Sequence, residues 1–152
     1  MTDFLALAQG LANRYKPAQV TPPTGYTNIT LSTAELPNGL AALPAVLVFL
    51  EDGEGTYVPD RRNGEHHFRV RFLYDRSAGD LRKEMKALLS WLGVLWNQTH
   101  AATKLGLGAS GVMKALPTAY QLGDFDYAGE HYDGIDILVT VWTEENVTLV
   151  AS

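Results

Sequence analysis

His67 to Trp96 reads HFRVRFLYDRSAGDLRKEMKALLSWLGVLW, and its periodicity changes once along the way. Phe68, Val70, Phe72 and Tyr74 alternate with His67, Arg69 and Arg71. A period of two marks a half-buried strand. Beyond Ser77, which stands where an N-cap belongs, Leu81, Met85, Leu88, Leu92 and Leu95 recur at helical spacing and line one helix face. Arg82, Lys83, Glu84 and Lys86 lie off that stripe, so the first half of the helix is amphipathic. Trp91, Leu92, Val94, Leu95 and Trp96 cover most of the circumference of the second half. A helix apolar all round must be covered all round. That end therefore calls for more than one packing surface, and one of Trp91 and Trp96 is expected at an interface. Strand, turn and helix Ala78–Trp96 form the largest unit of local order, and the rest of the chain must pack on it.

On the N-terminal side, Thr2 or Asp3 can cap a short amphipathic helix running to about Tyr15, with Pro17 stopping it. Gln19 to Gly25 is an extended connector and Tyr26 to Leu31 a short strand. Pro44 opens PAVLVFLE, whose length and β-branched content favour a buried strand. Residues 51–65 are polar and glycine-punctuated, and read as a hairpin arm. On the C-terminal side, Ala101 to Gly111 is small and glycine-rich, and Val112 to Leu116 is a turn or strand ended by Pro117. Tyr120 to Tyr127 is a strand, and Ala128, Gly129 and Glu130 make a turn. In the last strand, His131 to Thr143, Ile135, Ile137, Val139 and Val141 alternate with Leu138 and Trp142, so both faces are at least partly covered. The expected class is α+β: a mixed, mostly antiparallel β-sheet flanked by an N-terminal helix and one long central helix. Residues 1–152 form one domain with a protruding arm at about 51–65.

The chain has 152 residues, enough to bury roughly 70% of its unfolded surface without staples. Its net charge of −5 argues against general nucleic-acid binding, which draws most of its affinity from cationic side chains. There is no cysteine, which excludes disulfides and thiolate metal sites. The first residues lack the basic start and long apolar core of a signal peptide. No run approaches a membrane span.

Candidate chemistry is thin. Gly106, Gly108 and Gly111 match G-x-G-x-x-G, but they follow a helix end, where a dinucleotide fingerprint follows a strand. His66 and His67 face opposite sides of a strand, so a metal would need His100 or His131 to join one of them. Asp124, Asp126, Glu130, Asp133 and Asp136 read as a solvated acidic hairpin without the calcium-loop pattern. Ser110 lacks a nucleophile elbow. No catalytic residue, cofactor or metal ligand is assigned. Arg69 and Arg71, opposite the core residues of their strand, form a polar face in an isolated domain, and in an assembly, beside an acidic hairpin, they suggest charge pairing between subunits.

The order of elements, closing with DFDYAGEHYDGIDILVTVWTEENV and its Tyr127-to-Gly129 turn, resembles the tail terminator (tail-completion) proteins of long-tailed bacteriophages over about residues 3–147. The resemblance implies a non-enzymatic virion protein, assembled in the host cytoplasm. Its fold is a mixed sheet flanked by helices. It forms a homohexameric ring on the head-proximal end of the tail, ends polymerisation of the tail tube protein and offers a surface to the head-completion (neck) protein. Genomic DNA would pass through the lumen without specific binding, and an acidic lumen would let it slide. Arg61, Arg62, Arg69, Arg71, Trp91 and Trp96 are the expected interface residues. The alternatives are another neck or minor tail component and a small metal-dependent hydrolase built on the histidines and the acidic hairpin.

Overall fold

The computed structural model describes residues 3–77, 79, 81–100 and 112–146. Helix α1 (Phe4–Arg14) is followed by the strands β1 (Leu31–Thr33), β2 (Ala45–Val58) and β3 (Arg61–Arg76). Helix α2 (Leu81–His100) and the hairpin of β4 (Val112–Tyr127) and β5 (Glu130–Asn146) complete the order. The strands form one sheet, β1-β2-β3-β5-β4, antiparallel except for the short parallel β1–β2 contact. This is the expected α+β arrangement.

Both helices pack on the same face of the sheet. Val46 and Val48, Phe68, Val70 and Phe72, and the row Ile135, Ile137, Val139 and Val141 share one core with Leu7 and Leu11 of α1 and Leu88, Trp91 and Leu95 of α2. These strand residues are separated by two, as the pleat requires. Asp3 caps α1, its carboxylate accepting from the Ala6 N–H at 3.0 Å. Tyr15, fully buried at the other end, meets the Thr99 hydroxyl of α2. Burial raises the Tyr15 phenol well above its ordinary pKa, so it stays a neutral hydrogen-bonding group. That bond and the Gln98 Nε2 to Arg14 carbonyl bond tie the two helices together at one end.

The opposite face carries no helix among the described residues. At one end the 34–44 segment folds under it, packing Leu40 and Leu43 on Leu47, Leu73 and Tyr132. There Tyr127 donates its hydroxyl to the Pro37 carbonyl. No helix or strand among the described residues covers the rest of this face.

Several elements differ from the sequence reading. Helix α2 starts at Leu81, not at Ser77, whose hydroxyl accepts from the Gly79 N–H and whose backbone N–H donates to the His131 carbonyl. Its buried line is Ala87, Leu88, Trp91, Leu95 and Thr99, while Leu89 is exposed and Leu92, Val94 and Trp96 are half-buried. Leu88, Trp91 and Leu95 of this line enter the shared core, and Thr99 meets Tyr15 of α1. Tyr26 to Thr30 is not a strand; pairing begins only at Leu31. Pro117 does not end a strand. It sits within β4, where a bulge between Pro117 and Ala119 on an edge strand makes its missing N–H harmless. The glycine-rich Ala101 to Gly111 segment, with its G-x-G-x-x-G pattern, lies outside the described residues.

Two turns close the hairpins. Ala128 and Gly129 both take positive φ, 52° and 84°, the two-residue geometry that matches strand twist. Gly134 on β5 is needed for a different reason: a Cβ there would collide with the Phe72 carbonyl of β3. Gly134→Ala is expected to destabilise the protein by about 1–3 kcal/mol, the usual range for overpacking, or more because the obstacle is backbone. Urea unfolding followed by circular dichroism measures this, and an unchanged midpoint would mean that the two strands can separate freely at this point.

Candidate functional site

The open face is organised around one carboxylate. Asp136 projects from β5 onto a face without a helix, yet only 3% of it is exposed. Arginines shield it. Arg71, its cross-strand partner on β3, donates from Nε to Oδ1 at 2.7 Å and from Nη2 to Oδ2 at 2.8 Å. This is the bidentate fork that suits a guanidinium. The Arg71 guanidinium is itself held between Phe49 and Phe125, 5.3 and 4.8 Å from their ring centroids. Arg69 extends the row, with Nη2 reaching both carboxylate oxygens of Glu51 at 2.6 and 2.8 Å and Nε lying 3.9 Å from Asp136. The hydrogen bonds to Asp136 raise the pKa of Arg71 further above its already high value. A chain Glu51–Arg69–Asp136–Arg71 thus crosses β2, β3 and β5.

The expected acidic hairpin is therefore divided. Asp136 is clamped in that row and Asp133 is buried, while Asp124 and Asp126 on β4 remain exposed beside His131 on β5. The His131 imidazole pairs with Asp126 and lies 3.8 Å from Asp124. Ligand atoms of these three residues fall within 4.8 Å of one another, the one such convergent set of at least three residues among those described. All three are exposed, and the ion pair with Asp126 already accounts for the geometry.

The arm is a hairpin paired along its whole length. β2 and β3 are in register out to Val58↔Arg61, and β5 follows β3 to Arg61↔Asn146. Arg61 lies 3.5 Å from Glu144, and Arg62 donates to Glu145. Both arginines expected to meet a neighbour thus hold carboxylates of their own chain. A register shift between Leu50 and Asp52 decides what the arm presents. The extra residue flips the alternation, so Gly53, Gly55 and Tyr57 come to the helix side. With Phe4 at the start of α1, they frame a cleft of about 370 Å³ floored by His66, Gly64 and Thr143 and bounded by Leu50 and Arg62. His66 packs edge-on against Phe4 and lies 3.1 Å from the Thr143 hydroxyl. A Cβ at Gly64 would press on the His66 ring and the Thr143 hydroxyl, and both would have to shift. Sequence reasoning missed this cleft. The available signal was Leu50 and Tyr57, two large apolar residues in a polar arm at an odd spacing.

Trp91 is fully enclosed in the chain's own core against Phe72, 4.8 Å between ring centroids, so its side chain meets no partner surface. Trp96 is half-buried and edge-on to the exposed Tyr120 of β4.

No protein-family model matches the chain, and no curated protein matches it either.

The two neighbouring histidines respond to pH in opposite senses. His67, on the open face, has Nδ1 2.5 Å from Asp52 and Nε2 3.3 Å from Glu65. The Asp52 bond raises its pKa above 6.5. Burial lowers that of His66. A raised folded-state pKa gives stability that is fully present below pH 6.5 and lost as pH rises through the raised value. His67→Gln should therefore lower the thermal midpoint below pH 6.5 and leave it unchanged in alkaline buffer, and equal loss at both would refute the ion-pair assignment. Removing the acid of the row has a larger effect. Asp136→Ala leaves Arg71 facing Phe49 and Phe125 without its anion. A loss of about 3 kcal/mol is expected, at the low end for a broken buried pair because the Arg71 side chain is 24% exposed. Denaturant titration of the variant checks it.

Proposed function

We propose that the protein is a tail terminator of a long-tailed bacteriophage: a structural virion subunit that caps the head-proximal end of the tail tube as a homohexameric ring. The ring ends polymerisation of the tube protein and receives the head-completion protein. The observation that carries this reading is the order of elements in space. An N-terminal helix, an apolar strand continued into a long hairpin, a long helix and a closing hairpin build one mixed sheet with both helices on one side. This is the order in which the sequence resembles that family.

The sheet also suits an assembly subunit. Its two edges are different surfaces, β1 with the outer side of β2 on one and β4 on the other. A ring joins unlike patches head to tail and closes by rotation. The open face, with its fixed row of charges, needs no further covering to be soluble. In such a ring it can face the lumen, the tube or the head.

The test uses tail tubes. Tube protein polymerised with the purified protein should give tubes with one end closed by a ring in electron micrographs, and growth should stop. Tubes that lengthen as fast with the protein as without it would refute the reading. Replacing residues 56–63 by a two-residue turn between the paired Gly55 and Gly64 should keep cooperative unfolding and abolish capping. Capping at the wild-type level by this variant would exclude the arm from the contact.

A further inference from the structure

Some of the exposed apolar side chains stand at the two opposite edges of the sheet. On one edge are Leu50 and Tyr57 of β2, beside the cleft and 43% and 68% exposed. On the other are Met113 and Tyr120 of β4, 54% and 56% exposed. The strands at those edges are open as well. β1 pairs with β2 only at Ala45, Val46 and Leu47, and nothing among the described residues pairs with the outer side of β2 beyond that point or with that of β4.

Charge differs between the edges in a complementary way. From Glu51 to Val58, β2 carries Glu51, Asp52 and Glu54 and no cation. From Val112 to Gly123, β4 carries one charge, Lys114. The two sets lie at one height. Glu54 is opposite Glu65, Glu65 opposite Trp142, and Trp142 opposite Lys114. Glu54 and Lys114 are thus the two ends of a single cross-strand row. They are also on the same face, the open one, where the Lys114 ammonium sits 4.5 Å from the Trp142 ring centroid. Tyr57 and Tyr120 are both on the helix-covered face, Tyr57 in the cleft with Phe4 and Tyr120 against Trp96.

From these placements we infer that a second copy of this chain docks edge to edge, the outer side of the β2 arm of one copy against β4 of the next, with Glu54 and Lys114 meeting across the contact. The inference rests on the ring reading and names its subunit interface. β2 and β4 run antiparallel to each other within the sheet, since three antiparallel steps separate them. A rotation about an axis along the strands therefore brings β2 of one copy antiparallel to β4 of its neighbour. It keeps the row in line, so acid meets cation on the open face. The bulges at Val112/Lys114 and Pro117/Ala119 interrupt the outer ladder of β4. Recognition is accordingly by side chains more than by an unbroken run of backbone bonds, which also guards the edge against indiscriminate pairing.

A zero-length carbodiimide cross-link reads the contact directly in the unmodified protein. A mixture of light and heavy-isotope copies, cross-linked and digested, should give a mixed-isotope peptide joining Lys114 to Glu54. Lys114→Glu should shift the assembly to monomer in light-scattering chromatography while thermal unfolding stays cooperative, and Glu54→Lys added to it should restore the oligomer. Rings in electron micrographs whose Lys114 joins some other carboxylate, or none, overturn the interface and leave the capping reading standing. Linked oligomers that fail to stop tube growth overturn the capping reading and leave the interface standing. A protein that yields no intermolecular link and stays monomeric overturns the inference.

Discussion

The pairing of β3 with β5 is the constraint on which the rest depends. It runs without a break from Arg61↔Asn146 to Phe72↔Ile135 and Leu73↔Gly134, then shifts register to end at Arg76↔Tyr132. Both strands are central, so each must satisfy a neighbour on either side, and each has one face in the helix-packed core. A slip of one residue would carry Phe68, Val70 and Phe72 to the open face and Arg69 and Arg71 into the core. The Arg71–Asp136 fork adds a second lock on the same register, since only direct opposition lets both hydrogen bonds form. Gly134 adds a third, because no side chain fits where the β3 backbone passes. Hydrophobic burial on one face, an ion pair on the other and a steric gap between them all select one alignment.

That alignment sets what each end of the sheet can present. Because β5 extends to Asn146, the outer half of β3 is paired on both sides, and the arm is a stiff continuation of the core sheet. A two-stranded hairpin alone would be marginal in water. Here the third strand and the pairs Arg61–Glu144 and Arg62–Glu145 support it. The arginines at its tip are thereby used internally. What remains on its outer side is acidic on one face and apolar on the other, separated by the register shift at Leu50/Asp52.

The sequence made the two central periodicities legible because both have a buried face and an obvious alternation: Phe68 to Tyr74 and Ile135 to Val141. It also narrowed the N-terminal cap to Thr2 or Asp3, of which Asp3 is the cap, and located the turn at Ala128–Gly129, where local chemistry alone decides. It misplaced features set by tertiary partners. Ser77 has the chemistry of a cap, but its hydroxyl accepts from the Gly79 N–H, ahead of the helix start at Leu81, and its own N–H donates to the His131 carbonyl of β5. Pro117 looks like a terminator until its strand proves to be an edge. Trp91 and Trp96 lie in one apolar run with nothing local to tell them apart, yet one faces Phe72 and the other Tyr120. The cleft was hidden because a bulge changes parity, and the odd spacing of Leu50 and Tyr57 is the one mark it leaves.

The fate of the acidic residues shows why charge in sequence is a poor guide to surface. Asp124, Asp126, Glu130, Asp133 and Asp136 crowd one short stretch, and the mean expectation for such a cluster is a solvated face. Strand alternation separates them. Asp136 falls beside Arg69 and Arg71, which neutralise it and cover it so well that it is nearly inaccessible without any helix above. Asp124 and Asp126, on the edge strand, sit beside His131 and stay in water. Position across the sheet, not spacing along the chain, decides which carboxylate is structural and which is free to face outward. The same holds for Glu54 and Lys114, sixty residues apart and unremarkable in sequence, which the ladder sets at opposite ends of one row.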